Sequence, residues 1–315
     1  MTAGCDLCGV EAPELVLRSP RLDGPLVRCR GCGLHYVAPR GTDFTFRAAD
    51  EARSAALAGR VAELDLVRHD VEDAARPQRV QADVERLERL RRHVAHGRLL
   101  DVGCATGIFL GVARETFAGV GVEPDPGTSE QARAAGVAVS AGTVDDVPRP
   151  PGGFDVVTMF HTIEHLDSPC HTLDRVRELL APGGIVMIET PTLDCIWFRL
   201  SPRHWRQLIP DHYYFYSRRT LEQLLRRCGL EPIEYTKVAR SVSLRFLADR
   251  LRRSGVPWGG RLAGLLRGRW AEQRTVRINP GDIMSVVARR PPSPAGAPAS
   301  LRPRPRSPAR HRRRR

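Results

Sequence analysis

The sequence predicts an α/β fold, a doubly wound sheet with helices on both faces, carrying a small cysteine-rich module at its front. Three observations predict it. The stretch "RLLDVGCATGIFLGVARETF" reads as an apolar strand, a glycine turn and an amphipathic helix. Short apolar strands and amphipathic helices then alternate along the next 170 or so residues, the pattern of a parallel sheet. Two C-x2-C pairs stand within the first 32 residues.

Composition sets the bounds. At 315 residues and 42% hydrophobic content, the chain can bury one good-sized core plus an appendage, or two modest domains. No run of 18 apolar residues exists and the N-terminus lacks a charged segment followed by an apolar one, so neither a membrane span nor a secretory signal is expected, and the cytoplasm is the expected compartment. The formal charge of +13 invites a nucleic-acid reading, but ten of the arginines fall in residues 289–315, leaving 39 basic against 36 acidic residues elsewhere. Residues 290–315, rich in proline, serine and arginine with little to bury, are expected to be a disordered basic tail, with weak contact to nucleic acid or anionic lipid as the lesser reading. Only Lys237 accompanies 48 arginines.

Residues 1–40 are read as a zinc ribbon. Cys5 and Cys8 are followed, after 20 intervening residues, by Cys29 and Cys32. Each pair places two thiolates on a tight turn, and two turns supply the four tetrahedral sulfurs of a closed structural Zn2+ site. A disulfide framework is the rival, disfavoured in a reducing compartment. Such a site has no open coordination position, so the metal is expected to stabilise folding and not to perform chemistry. Cys104, Cys170, Cys195 and Cys228 share no ligand spacing and are read as small buried residues.

Residues 41–97 are read as a helical extension, clearest in "RVQADVERLERLRRHVAH", where Val80, Val84, Leu87, Leu90 and Val94 recur at three and four. The strand that follows ends at Asp101, and Gly103 and Gly107 frame a G-x-x-x-G turn. A second strand ends in Glu123, 20 positions after Gly103, where an acidic side chain can accept hydrogen bonds from both ribose hydroxyls. The spacing is not G-x-G-x-x-G; the missing middle glycine normally admits a pyrophosphate, which weakens the case for a dinucleotide-dependent dehydrogenase. A sulfonium nucleoside carries no phosphate.

"LLDVGCATG", "VGVEP", "FDVVTMFHTIEHLDSP", "LAPGGIVMIETP" and "PDHYYFYSRRTLEQLLRRCGLEP" together resemble the successive motifs of a class I S-adenosylmethionine-dependent methyltransferase, over about residues 80–289. The resemblance implies a Rossmann-like, seven-stranded sheet with its last strand, "GDIMSVVARR", antiparallel, in a domain spanning 98–289 with cap insertions near 193–216 and 241–275. It implies that Gly103, Ala105 and Gly107 lie under the methionine moiety and ribose of S-adenosyl-L-methionine, and that Asp101 orients the cofactor amino group. Glu123 would hold the ribose, Pro124 would lie against the adenine, and Phe160 would line the methionine end with His161. Thr143 stands where the family often has aspartate; Thr143 or Asp145 would bond the adenine amino group, and Val144 would offer its backbone NH and apolar contact.

"HTIEH", residues 161–165, matches the H-x-x-E-H pattern of one class of zinc peptidases. Such a peptidase needs the pattern inside a longer helix. Here "FDVVTMF" reads as a buried strand before it, and "DSPCHTLDRVRELLAPGG" as a new helix after it, capped by Asp167 or Ser168. The pattern therefore begins at a strand's carboxyl end, where open parallel sheets bind ligands. His161, His165 and His212 are the candidate catalytic residues, because an imidazole of near-neutral pKa can take a proton from a hydroxyl or carbon acid. Glu164 is expected to buttress the loop, and Trp197, His204 and Trp205 to cap the acceptor pocket. Residues 241–275 are read as a helical, arginine-rich insert on the acceptor side.

The expectation is thus a methyltransferase acting on a small-molecule or sugar-containing metabolite, such as a glycan precursor, by in-line methyl transfer. The combination of ribbon and methyltransferase motifs resembles enzymes that modify nucleotide-linked sugars or glycans, although the further C-terminal domain usual in sugar C-methyltransferases is not expected here. An RNA methyltransferase is the alternative, favoured by the ribbon and tail and disfavoured by the nearly neutral body. A catalytically idle binding module on the same scaffold is the third reading, opposed by the presence of Asp101, Gly103, Gly107 and Glu123 together.

Overall fold

The computed structural model describes residues 4–38, 77–245, 264, 270, 271 and 274–292. Residues 41–76 of the expected helical extension and the basic tail from 293 onward lie outside the described residues.

Three short strands, β1 (Pro13–Leu17), β2 (Leu26–Cys29) and β3 (His35–Val37), form an antiparallel meander at the front. Helix α1 (Pro77–Arg91) leads into the main sheet. Its strands are β4 (Gly97–Val102), β5 (Phe117–Glu123), β6 (Val139–Ala141), β7 (Phe154–Phe160), β8 (Leu180–Pro191), β10 (Glu231–Lys237) and β13 (Ile283–Arg289), in the spatial order β10-β13-β8-β7-β4-β5-β6. The chain reverses its direction of growth across the sheet between β4 and β7, so the tips of β4, β5 and β7 open onto one crevice, the usual ligand position in a doubly wound sheet. β13 pairs antiparallel with both β8 and β10, the arrangement the resemblance implies.

The connecting helices follow local rules. α2 (Ile108–Ala113) starts at Gly107, whose φ of +75° only glycine adopts freely. α3 (Pro126–Ala134) is capped by Asp125, which accepts from the Thr128 amide at 2.7 Å. α4 (Pro169–Leu179) is capped by Ser168 and buries Leu173, Val176 and Leu179. The short α5 (Ile196–Leu200) leaves Trp197 56% exposed. α6 (Arg218–Arg227) turns Leu221, Leu224 and Leu225 inward, with Cys228 buried just beyond.

β9 (Tyr214–Phe215), from the segment between β8 and α6, pairs with β3 and becomes the fourth strand of the front sheet. The front module is therefore fused into the larger core: Leu7, Leu34 and Tyr36 share one apolar cluster with Val157, Ile188 and Leu224. A second cluster on the opposite face joins Leu90, Leu99, Phe109 and Phe117. A third binds Leu26 and Val37 of the front sheet to Trp205, Leu208 and Phe215.

Two expectations are corrected. Val80 of the expected apolar face is 41% exposed, while Asp83 and Arg89 are buried; charged residues that pair inside do not register in a hydrophobic period. The insert read as helical over 241–275 is bounded instead by two strands, β11 (Arg240–Ser243) and β12 (Thr275–Ile278), paired antiparallel, where the β-branched Val242, Thr275, Val276 and Ile278 suit a strand better than a helix. Between the strands Leu244, Arg245, Gly264, Trp270 and Ala271 are helical, as expected, and 246–263, 265–269 and 272–273 lie outside the described residues. No described helix is long and apolar enough to cross a membrane.

Candidate active site

The site is built at the tips of β4, β5, β7 and β8. After β4 the chain turns through Gly103 (φ +72°), Ala105 (φ +47°) and Gly107. Ala105 is one of two described non-glycine residues with positive φ; the other is His161 (φ +56°), at the tip of β7. A left-handed conformation costs an L-residue energy, and two such residues facing one crevice mark strain held by its surroundings. The Ala105 amide donates to Glu123 Oε2 at 3.0 Å, and the Asp125 amide to Oε1 at 3.1 Å. Glu123 thereby ties the glycine turn to the exit of β5, and burial raises its pKa. Pro124 follows it, half-buried.

Asp101 is buried at the end of β4, and its side chain takes one hydrogen bond, from Thr158 Oγ1 at 2.7 Å. Burial pushes its pKa up to about 7 against the opposing effect of that bond. A carboxylate kept from water with one donor is suited to a cationic partner.

The β7 tip explains the "HTIEH" stretch. Ile163–His165 is a single 3-10 turn and not part of a longer helix. Thr162 Oγ1 donates to the Val102 carbonyl at 2.9 Å and packs so closely that a Cβ on Gly103 would stand 2.7 Å from it. His161 donates its backbone amide to the Glu189 carbonyl at 2.7 Å, joining the tips of β7 and β8. Its ring, 32% exposed, lies between two carboxylates: Nδ1 is 3.3 Å from Glu164 Oε1, and Nε2 is 3.5 Å from Glu189 Oε1. Burial alone would lower the His161 pKa, but the two carboxylates outweigh it and raise it. Reciprocally, burial would raise Glu164, yet the imidazoles bring it down to about 2.

Arg86 of α1 completes this network. It bonds Glu189 through Nη2 (2.6 Å) and Nε (3.3 Å), bonds Asp83 at 2.7 Å, and lies 4.5 Å over the Phe160 ring. Phe160 in turn meets Phe109 edge to face at 4.8 Å. Arg86 and His161 hold Glu189 well below the usual carboxylate range despite burial, whereas burial wins at Asp83 and raises it. Sequence reasoning missed Asp83, Arg86 and Glu189. The readable signal was a glutamate at the end of the otherwise apolar "GIVMIET", at the ligand-binding end of a buried strand.

The remaining expected residues fall as follows. Thr143 caps the short turn Val144–Asp146, exchanging bonds with Asp146 and accepting from the Asp145 amide. Asp145 is paired with His171 at 3.0 Å, and Val144 is buried. His165 Nδ1 bonds the Asp211 carbonyl at 2.8 Å. His212 is buried, with Nδ1 2.9 Å from the Gln207 carbonyl and its ring edge-on to His165 and Phe215; burial pushes its pKa down to about 4. Trp205 is buried in the cluster with Leu208 and Phe215, Trp197 donates to the Pro280 carbonyl, and His204 bonds Ser201.

At the front, Cys5, Cys8, Cys29 and Cys32 bring their sulfurs within 4.8 Å of one another. Four thiolates bound at 2.3 Å to one tetrahedral ion stand about 3.8 Å apart, so the donor set fits Zn2+. The first knuckle is bolted to α4: Asp6 accepts from Ser168 Oγ at 2.7 Å and from the Cys170 amide at 2.8 Å, and Arg227 donates to the Leu7 carbonyl.

Comparison with known proteins agrees with this architecture. A family profile described as a methyltransferase domain matches residues 69–235. A "Probable S-adenosylmethionine-dependent methyltransferase" of Mycolicibacterium smegmatis is 29% identical over 150 residues, covering 46% of this chain and 56% of the relative. A ubiquinone biosynthesis O-methyltransferase of Burkholderia vietnamiensis is 30% identical over 142 residues, covering 40% and 59%. The chain thus spans a little over half the length of these relatives. A chain from the complex between the Haloferax volcanii Trm112 methyltransferase activator and a methyltransferase matches 70% of this chain and 95% of its own length, at 20% identity and a TM-score of 0.51, a likeness of fold.

Proposed function

Because the chain belongs to the methyltransferase-domain family of S-adenosylmethionine-dependent enzymes, we propose that it methylates a hydroxyl of a small-molecule or sugar-containing acceptor, with His161 as the proton-accepting residue. The observation that carries this reading is the pair of buried carboxylates, Asp101 and Glu123, at adjacent strand tips on either side of a glycine turn whose Ala105 is held left-handed. The O-methyltransferase relatives, named for ubiquinone biosynthesis, favour an oxygen acceptor of small size.

When bound, S-adenosylmethionine supplies an electrophilic methyl group on a positively charged sulfur. Gly103, Ala105 and Gly107 would lie under its methionine and ribose portions. Asp101 would meet the amino group, which offers the buried carboxylate the cation it lacks. Glu123 has one donor on each oxygen and a lone pair left on each, so it can keep the turn in place and still accept from a ribose. Pro124 and Phe160 would supply apolar contact; Thr143, Asp145 and Val144 would stand toward the adenine.

Acceptor chemistry falls to the β7 tip. His161 is partly exposed, while Glu164 and Glu189 fix its ring and favour its charged form. The two carboxylates raise the pKa of this imidazole, and it takes a proton only after releasing its own, which shifts the fast reaction toward higher pH. Holding the acceptor oxygen in line with the methyl group and excluding water are the cap segment's tasks. The zinc of the four-cysteine cluster would be structural, bracing the cap through the shared front sheet.

The test uses labelled S-adenosylmethionine with fractionated cell extract to find the methylated product, followed by calorimetry on the variants. His161→Ala should keep the heat of cofactor binding and lose turnover by roughly 100-fold or more. Label recovered in RNA, or undiminished turnover in His161→Ala, would end this reading.

A further inference from the structure

We propose that Glu164, His165 and His212 form a second metal site, for a divalent transition-metal cation, separate from the four-cysteine cluster. Each of the three residues brings a ligand atom within 4.8 Å of the other two, and Glu164 and His212 are buried. Ligands held by one ion at about 2.0–2.2 Å stand roughly 3–4 Å apart, so side-chain adjustments of about an ångström close the set.

The hydrogen bonds around the cluster orient it for a cation. His165 Nδ1 lies 2.8 Å from the Asp211 carbonyl, and His212 Nδ1 lies 2.9 Å from the Gln207 carbonyl. A carbonyl oxygen can only accept, so each ring carries a proton on Nδ1. In the neutral ring that leaves the Nε2 lone pair, the tautomer that outer-shell carbonyls impose on metal-binding histidines. Glu164 is itself oriented from behind, by Thr190 Oγ1 at 2.8 Å and His161 Nδ1 at 3.3 Å. The cluster therefore gathers a carboxylate and two imidazoles, all electron-pair donors, in a space largely closed to water. That set suits zinc, iron, manganese or cobalt in the divalent state and ill suits magnesium or calcium, which prefer oxygen alone.

The arrangement differs from the peptidase pattern its letters resemble. The glutamate serves as a ligand, the third ligand comes from the cap segment, and His161 is turned to Glu164 and Glu189. Asp211 stands behind the His165 ring, its Oδ2 3.3 Å from Nδ1, on the side away from the Nε2 lone pair, and so helps to fix that tautomer.

The full-length protein, stripped of metal and refolded, should be titrated with Co2+ and its metal content measured independently after loading with Zn2+. Two equivalents are expected per chain: one giving the strong thiolate-to-cobalt charge-transfer absorption, the other only the weaker ligand-field bands of a nitrogen and oxygen site. His165→Asn and Glu164→Gln should each reduce the count from two to one while the thiolate band, which reports a folded front module, is unchanged. Saturation of the wild type at one equivalent would overturn the proposal, whatever the variants' folding. So would retention of two equivalents in folded His165→Asn. Neither cofactor nor acceptor enters the measurement, so its outcome is independent of the methylation reading.

Discussion

Replacing Asp101 by Asn should make the protein more stable and a poorer binder of S-adenosylmethionine. The Asp101 carboxylate is 3% exposed, and its pKa lies at about 7 against an ordinary 3.8. Three such units at about 1.4 kcal/mol each amount to about 4 kcal/mol. The sign follows from proton count: between about pH 4 and pH 7 the folded state keeps a proton that the unfolded chain has shed, so stability falls as pH rises through that window. Above pH 7 the whole cost is present. Asparagine cannot ionise and can still meet Thr158, so Asp101→Asn should gain about 2–4 kcal/mol at pH 8, or roughly 3–8 °C in Tm, and nothing at pH 4. Thermal and denaturant unfolding across pH 4–8 reads the first effect. Calorimetry reads the second, a loss of cofactor affinity of roughly 10–100-fold for a missing charged hydrogen bond. A stability difference that does not change with pH would refute the reasoning, because it would mean that Asp101 carries its ordinary charge when folded.

Glu189→Gln removes one of the two carboxylates that raise the His161 pKa, so the rising limb of the pH–rate profile should move to lower pH; a limb that stays in place excludes His161 as its source. The same change leaves Arg86 with Asp83 alone and should cost about 3–5 kcal/mol in unfolding measurements, as breaking a buried ion pair does. Gly103→Ala combines a φ of +72° with a Cβ 2.7 Å from Thr162 Oγ1, and should lose about 1–3 kcal/mol and displace the turn from the cofactor, read by calorimetry. Ser168→Ala removes both the cap of α4 and the bond to Asp6, at about 1–2 kcal/mol by denaturant titration. Stripping zinc with a strong chelator should expose Trp205, read by its fluorescence, along with the front module.

The parts of this structure that were legible in the sequence are those set by local rules. Gly103 and Gly107 announced a turn, Ser168 before Pro169 a helix start, and the spacing of Cys5, Cys8, Cys29 and Cys32 a common centre. "FDVVTMF" followed by a capped helix was enough to remove HTIEH from any long helix. What stayed hidden depends on partners distant in the chain. Asp83 and Glu189 are buried because Arg86, with Arg89 3.6 Å from Glu189, offsets their charge, and no periodicity of apolar residues reports that. His165 and His212 were read as separate catalytic candidates; that their rings lie 4.7 Å apart is a consequence of how the cap folds back. The helical reading of 241–275 extends over residues 241–243 and Thr275, because a four-residue strand carries little β signal until its partner, distant in the chain, lies beside it.

The pairing of Tyr214–Phe215 with His35–Tyr36 also dictates an order of assembly. On the ribosome the cysteine hairpins emerge well before Tyr214–Phe215, the edge that completes their sheet. Until then β3 offers a bare edge to solvent, the kind of unpaired strand on which nascent chains associate. Capture of zinc by the four thiols would hold the hairpins compact through that interval, and metal supply during translation would then bear on the yield of correctly closed protein.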